Sequence, residues 1–162
     1  MKKSRWIFVL AAVLAAASAP AQTSGDKPNA APKASTETPL FISAASVKWT
    51  DLDPSGAPGV RIADLWGDHA RGAYGAFLKF PAGFLSPLHT HTNAIKIVVV
   101  SGTYTQTPEG KAEQRLGPGS YAFQPGGNYK HVSGCDKASD CVLFIESSGA
   151  FDLKPVEAAG AK

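Results

Sequence analysis

Charge is scarce in this chain: only 18% of its 162 residues are Asp, Glu, Lys or Arg, and they are spread along the sequence. The basic stripe that nucleic-acid binding requires is therefore missing, and nucleic acid is excluded as a partner. No apolar run reaches the ~20 residues of a membrane-spanning helix; the longest, Trp6 to Ala17, has 12. Beyond residue 40 no window shows the 3.6-residue period of an amphipathic helix, which argues against a helical core. The chain also has no Ser-His-Asp pattern, no paired carboxylates at a useful spacing and no glycine loop of the phosphate-cradling type. There is no repeat of fixed period, and the length admits one ordinary domain and not two.

What is present begins with a secretory layout. Lys2, Lys3 and Arg5 precede the apolar run, and the small residues Ser18 to Ala21 follow it, which predicts a signal peptide over 1–21 with cleavage after Ala21. No cysteine lies near that cut, so nothing suggests a lipid anchor, and no stable membrane insertion is expected once the peptide is removed. Cleavage would take away three of the 16 basic residues and none of the 13 acidic ones. The mature protein is then close to neutral and offers no electrostatic hint about its ligand. Residues 22–39 lack aromatics, are rich in Pro, Ala, Ser and Thr, and read as a flexible linker. The folded domain is expected over 40–156, with a short tail at 157–162, in a periplasmic or secreted location.

An exported location changes the reading of the two cysteines. Cys135 and Cys141 bracket a polar stretch, Asp136 to Asp140, between apolar runs, and the expectation is a disulfide across a short β-hairpin loop. The competing reading makes Cys135 a metal ligand or reactive thiol, because it follows His131 by four residues. Short apolar or alternating runs predict strands at 47–52, 60–66, 73–80, 95–101, 103–107, 112–116, 121–124 and 141–146. Turn residues such as Pro81-Ala82-Gly83, Ser101-Gly102 and Pro125-Gly126-Gly127 separate them. This is the pattern of an antiparallel sandwich or barrel. The run Ile95 to Val100 is continuous enough to suggest a central strand without a wet face.

The chemistry is expected in the histidines: His69, His89, His91 and His131. Residues i and i+2 of a strand share a face, so His89 and His91 can turn two imidazoles onto one cation. Two network histidines would give the same letters. His69 follows Trp66-Gly67-Asp68 in a predicted loop and is read as structural or as a support to the site.

The punctuation around these histidines resembles the cupin superfamily. Cupins carry a first motif of Gly, five residues, His-x-His, three or four residues, Glu, six residues and Gly; Gly83, His89, His91 and Gly102 match it. Their second motif is Gly, five residues, Pro-x-Gly, two residues and His; Gly119, Pro125 and Gly127 match, with His131 one residue late. The stretches Trp66 to Phe84 and Gly149 to Asp152 also look like exported cupins related to the carboxy-terminal domain of ChrR-type anti-sigma factors. The resemblance implies an all-β fold, a small antiparallel jelly-roll barrel with a metal at its centre. It also implies His89, His91 and His131 as ligands for Fe, Zn, Cu or Ni, and by analogy a homodimer.

One departure matters as much as the match. The two family spacings for the metal-binding Glu land on Ile95 and Lys96, and no Asp or Glu occurs between Lys79 and Pro108. The implied centre is therefore three neutral nitrogens, which would leave the ion its full double charge and favour anionic ligands. Lys96 either faces out, as uninterrupted alternation predicts, or enters the cavity to bind a substrate carboxylate. Tyr104 and Gln124 are candidate substrate contacts, and Tyr121 and Phe123 are further candidates to line the barrel. Three functions stay open at this point. The first is a metal-dependent enzyme of dioxygenase, isomerase or hydrolase type acting on a small anionic molecule. The second is a periplasmic module that binds or senses a small molecule or a metal without turnover. The third is a degenerate cupin without catalysis.

Overall fold

The computed structural model describes residues 38–53 and 55–156. The expected signal peptide, nearly all of the linker and the tail at 157–162 lie outside the described residues. Eleven strands occur among them: β1 (Thr50–Asp51), β2 (Arg61–Gly67), β3 (Tyr74–Phe80), β4 (His89–Thr90), β5 (Ile95–Ser101), β6 (Tyr104–Pro108), β7 (Gln114–Leu116), β8 (Tyr121–Gln124), β9 (His131–Cys135), β10 (Cys141–Ser147) and β11 (Lys154–Pro155). The one helical element among them is a single 3-10 turn at Ala44–Ser46. Every ladder is antiparallel. One sheet has the order β1-β2-β3-β10-β5-β8 and the other β11-β4-β9-β6-β7, the two-sheet barrel that the strand pattern and the motif resemblance predict.

Period-two alternation places the core. Along β5, Ile95, Ile97 and Val99 are buried while Lys96, Val98 and Val100 face out, and along β10 Cys141, Leu143 and Ile145 point inward. Packed with Ile62, Leu78 and Phe80 they fill the space between the sheets. The expectation that β5 has no wet face is corrected. The strand lies inside its sheet, between β10 and β8, but the sheet's outer side is open and leaves Val98 and Val100 exposed. The two-residue strands β4 and β11 are too short to show a period, and β9 was missed because its sequence, His131-Val132-Ser133-Gly134-Cys135, carries no apolar run or clear alternation.

Cys135 and Cys141 are bonded to each other, with no free cysteine among the described residues. The hairpin expectation is corrected, since β9 and β10 belong to different sheets and the disulfide closes the corner where the chain crosses between them. That corner is crowded. At Gly102 (φ +77°) an added Cβ would come within 2.5 Å of the Asp140 carbonyl oxygen and 3.0 Å of Cys141 Sγ, so only glycine fits. Gly83, Gly119 and Gly127, the other turn glycines of the two motifs, share the positive φ.

Candidate metal centre

Three imidazoles converge at one end of the barrel. His89 on β4 stands directly opposite His131 on β9, and His91 follows where β4 ends. Ring centroids are 4.3 Å apart for His89 and His131, 4.8 Å for His89 and His91, and 5.2 Å for His91 and His131. All three are buried, at 1%, 5% and 0% exposure for His89, His91 and His131.

The backbone fixes which nitrogen of each ring is free. His89 Nδ1 donates to the Pro87 carbonyl at 2.8 Å, His131 Nδ1 to the Tyr129 carbonyl at 3.2 Å, and His91 Nδ1 to the Asp152 carbonyl. A carbonyl can only accept, so each neutral ring carries its proton on Nδ1 and presents a bare lone pair at Nε2. Nε2 of His89 and Nε2 of His91 are nevertheless 3.2 Å apart, and His131 Nε2 is buried with no partner among the described residues. Two lone pairs at that distance repel, and an orphaned acceptor in the interior is costly. A cation placed among the three Nε2 atoms removes both defects. Carbonyl acceptors behind each ring are the outer support that ligating histidines commonly have.

Burial opposes charge on these rings. Loss of hydration pushes His89 and His131 down to about 4, and His91 down as well, so all three are neutral at ordinary pH, the state that ligation needs. No carboxylate joins them. Ile95 fills the family's Glu position, pointing inward, and among the described residues that line the cavity beside the rings none is acidic.

That cavity measures about 50 Å³, with His89 and His91 in its wall. Tyr104 and Gln124, expected as substrate contacts, do line it. Gln124 Nε2 donates to Tyr104 Oη at 3.0 Å, and Tyr104 Oη lies 3.0 Å from Ser133 Oγ. Burial raises the Tyr104 hydroxyl far above its ordinary range, so it stays protonated. The cavity reading of Lys96 is corrected: its side chain lies on the outer face of β5 and pairs with Glu146 at 2.8 Å. Tyr121 and Phe123 are likewise on the outside, 60% and 53% exposed, because β8 turns Ala122 and Gln124 inward.

Several supporting residues were not legible in the sequence. The segment Ala150–Pro155 straps His91 down: Asp152 accepts from the Thr92 amide at 2.7 Å, and Asn93 Nδ2 donates to the Ala150 carbonyl at 2.9 Å. Above the small cavity opens a cleft of about 530 Å³ that shares Leu52, Phe84, Ser86, Phe151 and Leu153 with it. His69 lines this cleft.

The comparisons with known proteins bear on the family and the fold. The family model described as "Domain of unknown function (DUF4437)" matches residues 20–162. No curated protein matches the chain. Among solved structures it is similar to the polyketide cyclase RemF from Streptomyces resistomycificus (TM-score 0.63, 17% identity, 75% of this chain and 88% of that one). It is also similar to an RmlC-like cupin protein from Ralstonia eutropha JMP134 (TM-score 0.59, 19% identity, 75% and 78%). A third is the DMSP lyase DddQ from Ruegeria pomeroyi DSS-3 (TM-score 0.57, 18% identity, 77% and 75%). These identities speak for the fold alone, and the fold is that of a cupin. The chain belongs to the DUF4437 family.

Proposed function

We propose that this member of the DUF4437 family is an exported, metal-binding cupin that acts on a small organic molecule. The observation that carries the reading is the convergence of three Nε2 lone pairs, each held in place by a carbonyl behind its ring. His89, His91 and His131 would hold a divalent Fe, Zn, Cu or Ni ion, which when bound supplies a Lewis-acid centre. With no carboxylate among its ligands, such an ion keeps its charge and prefers an anionic or strongly polar end of the ligand.

The two volumes divide the ligand. About 50 Å³ has room for an ion and one small group, whereas about 530 Å³ falls in the range of small-molecule sites. The reactive end therefore enters the cavity, where the Gln124 and Tyr104 dipoles can orient it, and the body lies in the cleft against Leu52, Phe84, Phe151 and Leu153. No Lys or Arg is among the described residues lining either space, so recognition of an anion falls to the ion and not to a basic side chain. Export to the periplasm or beyond, assembly as a homodimer, and a closer kinship with ChrR-type cupins are parts of the same proposal. The disulfide and the signal-like start support export.

Calorimetric titration of chelator-stripped protein with Zn²⁺ and Ni²⁺ tests the reading. One ion per chain is expected for the wild type, and His131→Ala should bind it more weakly by on the order of 100-fold or more. Absence of uptake by the wild type would leave the degenerate reading standing.

A further inference from the structure

Inside the small cavity the only titratable groups among the described residues are His89, His91 and Tyr104, and the site just proposed commits two of them to an ion and leaves Tyr104 protonated. A ligand in the cleft meets one more imidazole. His69 Nδ1 lies 3.0 and 2.9 Å from the two Asp64 carboxylate oxygens, which can only accept from it, so the neutral ring carries its proton on Nδ1. Nε2 is then the bare nitrogen, and it has no hydrogen-bond partner among the described residues. The neighbouring Asp68 carboxylate is taken up by the Ala70 amide at 2.9 Å and by Arg71 Nε at 3.4 Å. His69 is also tied to the metal centre through one residue: its carbonyl accepts from the Phe151 amide at 2.7 Å, and the Phe151 ring sits 5.4 Å from that of His91.

We propose that His69, oriented by Asp64, is the acid–base group of the cleft, acting on the part of a small molecule whose other end reaches the histidine centre. An imidazole held by a carboxylate at one nitrogen and open at the other is the arrangement that general base catalysis uses. In the step it performs, an O–H or C–H proton of the ligand passes to Nε2 and the bonding electron pair stays on the ligand oxygen or carbon. Asp64 neutralises the resulting imidazolium, and the proton returns to product or water. The ligand class is a molecule with an apolar body and one ionisable or enolisable hydrogen. The inference rests on the metal-site reading only for where the ligand's other end lies.

The test uses zinc-loaded and chelator-stripped full-length protein in parallel. Two-bond ¹H–¹⁵N correlation of histidine-labelled protein should show His69 as the Nδ1–H tautomer, and Asp64→Asn should shift it towards Nε2–H. Diethyl pyrocarbonate, mapped by peptide mass, should modify His69 well before the buried histidines. With 4-nitrophenyl acetate as the probe, where Nε2 displaces 4-nitrophenolate and water then frees acetate, His69→Gln should lower the rate at least tenfold. Lys96→Ala, on the outer face of β5, should leave that rate unchanged. A His69→Gln rate equal to wild type, or an Nε2–H tautomer in the wild type, would overturn the proposal. Failure of the metal site shows separately, as no zinc uptake with these three readouts intact.

Discussion

The two sheets of the barrel face the same interior with opposite chemistry. The six-stranded sheet turns Ile62, Leu78, Ile97, Val99, Leu143 and Ile145 inward. The five-stranded sheet turns in His89, His131 and Ser133 beside Tyr104. One sheet supplies apolar burial, the dominant favourable term in folding, and the other supplies polar groups whose desolvation must be offset by partners. Most of those groups have one: Tyr104 meets Ser133, and Gln124, reaching in from β8 at the edge of the six-stranded sheet, donates to Tyr104. The His131 Nε2 atom does not, and that mismatch marks the site. Stability and chemistry are thereby assigned to different walls, and substitutions should separate them.

The largest separation is expected at His131. His131→Ala should lower divalent-ion affinity on the order of 100-fold or more, while metal-free thermal stability stays level or rises because an orphaned buried polar atom is removed. Titration and a melting curve on the same sample check both. In the opposite wall, Leu143→Ala should cost about 2–5 kcal/mol in chemical denaturation, yet the folded fraction should still take up one ion.

The pH response sharpens the same contrast. In the unfolded chain a histidine protonates near its ordinary value of about 6.5, but folded His89 and His131 stay neutral until about 4. Between those values the unfolded state binds more protons, so the part of the metal-free stability that these two rings contribute should fall as pH drops from about 6.5 to 4 and change no further below. Denaturant midpoints across that range should show the slope, and His131→Ala should make it shallower while His89 keeps its share.

The disulfide is the covalent tie between the walls. Because it closes a loop of sequence separation 6, replacing both cysteines by serine should cost only about 2 kcal/mol and leave ion affinity unchanged. The smallest effect is predicted outside the barrel, where Lys96→Ala should change neither melting temperature nor affinity, because Lys96 pairs with Glu146 in solvent.

How far the sequence could be read follows from the same physics. The apolar wall was legible because long strands with period-two burial, such as β3, β5 and β10, leave a strong pattern. His89 and His91 were legible as a chelating pair from their spacing, and His131 from a motif resemblance, since nothing local connects residues forty positions apart. At Lys96 uninterrupted alternation predicted the outer face and the side chain took it, while the cavity alternative, which needs a one-residue change of register, failed. The pairing of the cysteines was readable but not its place in the fold, because a polar loop looks the same whether it joins strands of one sheet or of two. The pairing of His69 with Asp64 and the strap at Asp152 depend on contacts made only after folding, and no composition or period announces them.

X-ray absorption at the metal edge of zinc-loaded protein tests the central claim most directly. The account predicts one zinc per chain with three imidazole nitrogens at about 2.0–2.1 Å, the usual zinc–nitrogen distance, and loss of that shell in His131→Ala. A shell containing sulfur, or one that survives the substitution unchanged, would contradict it.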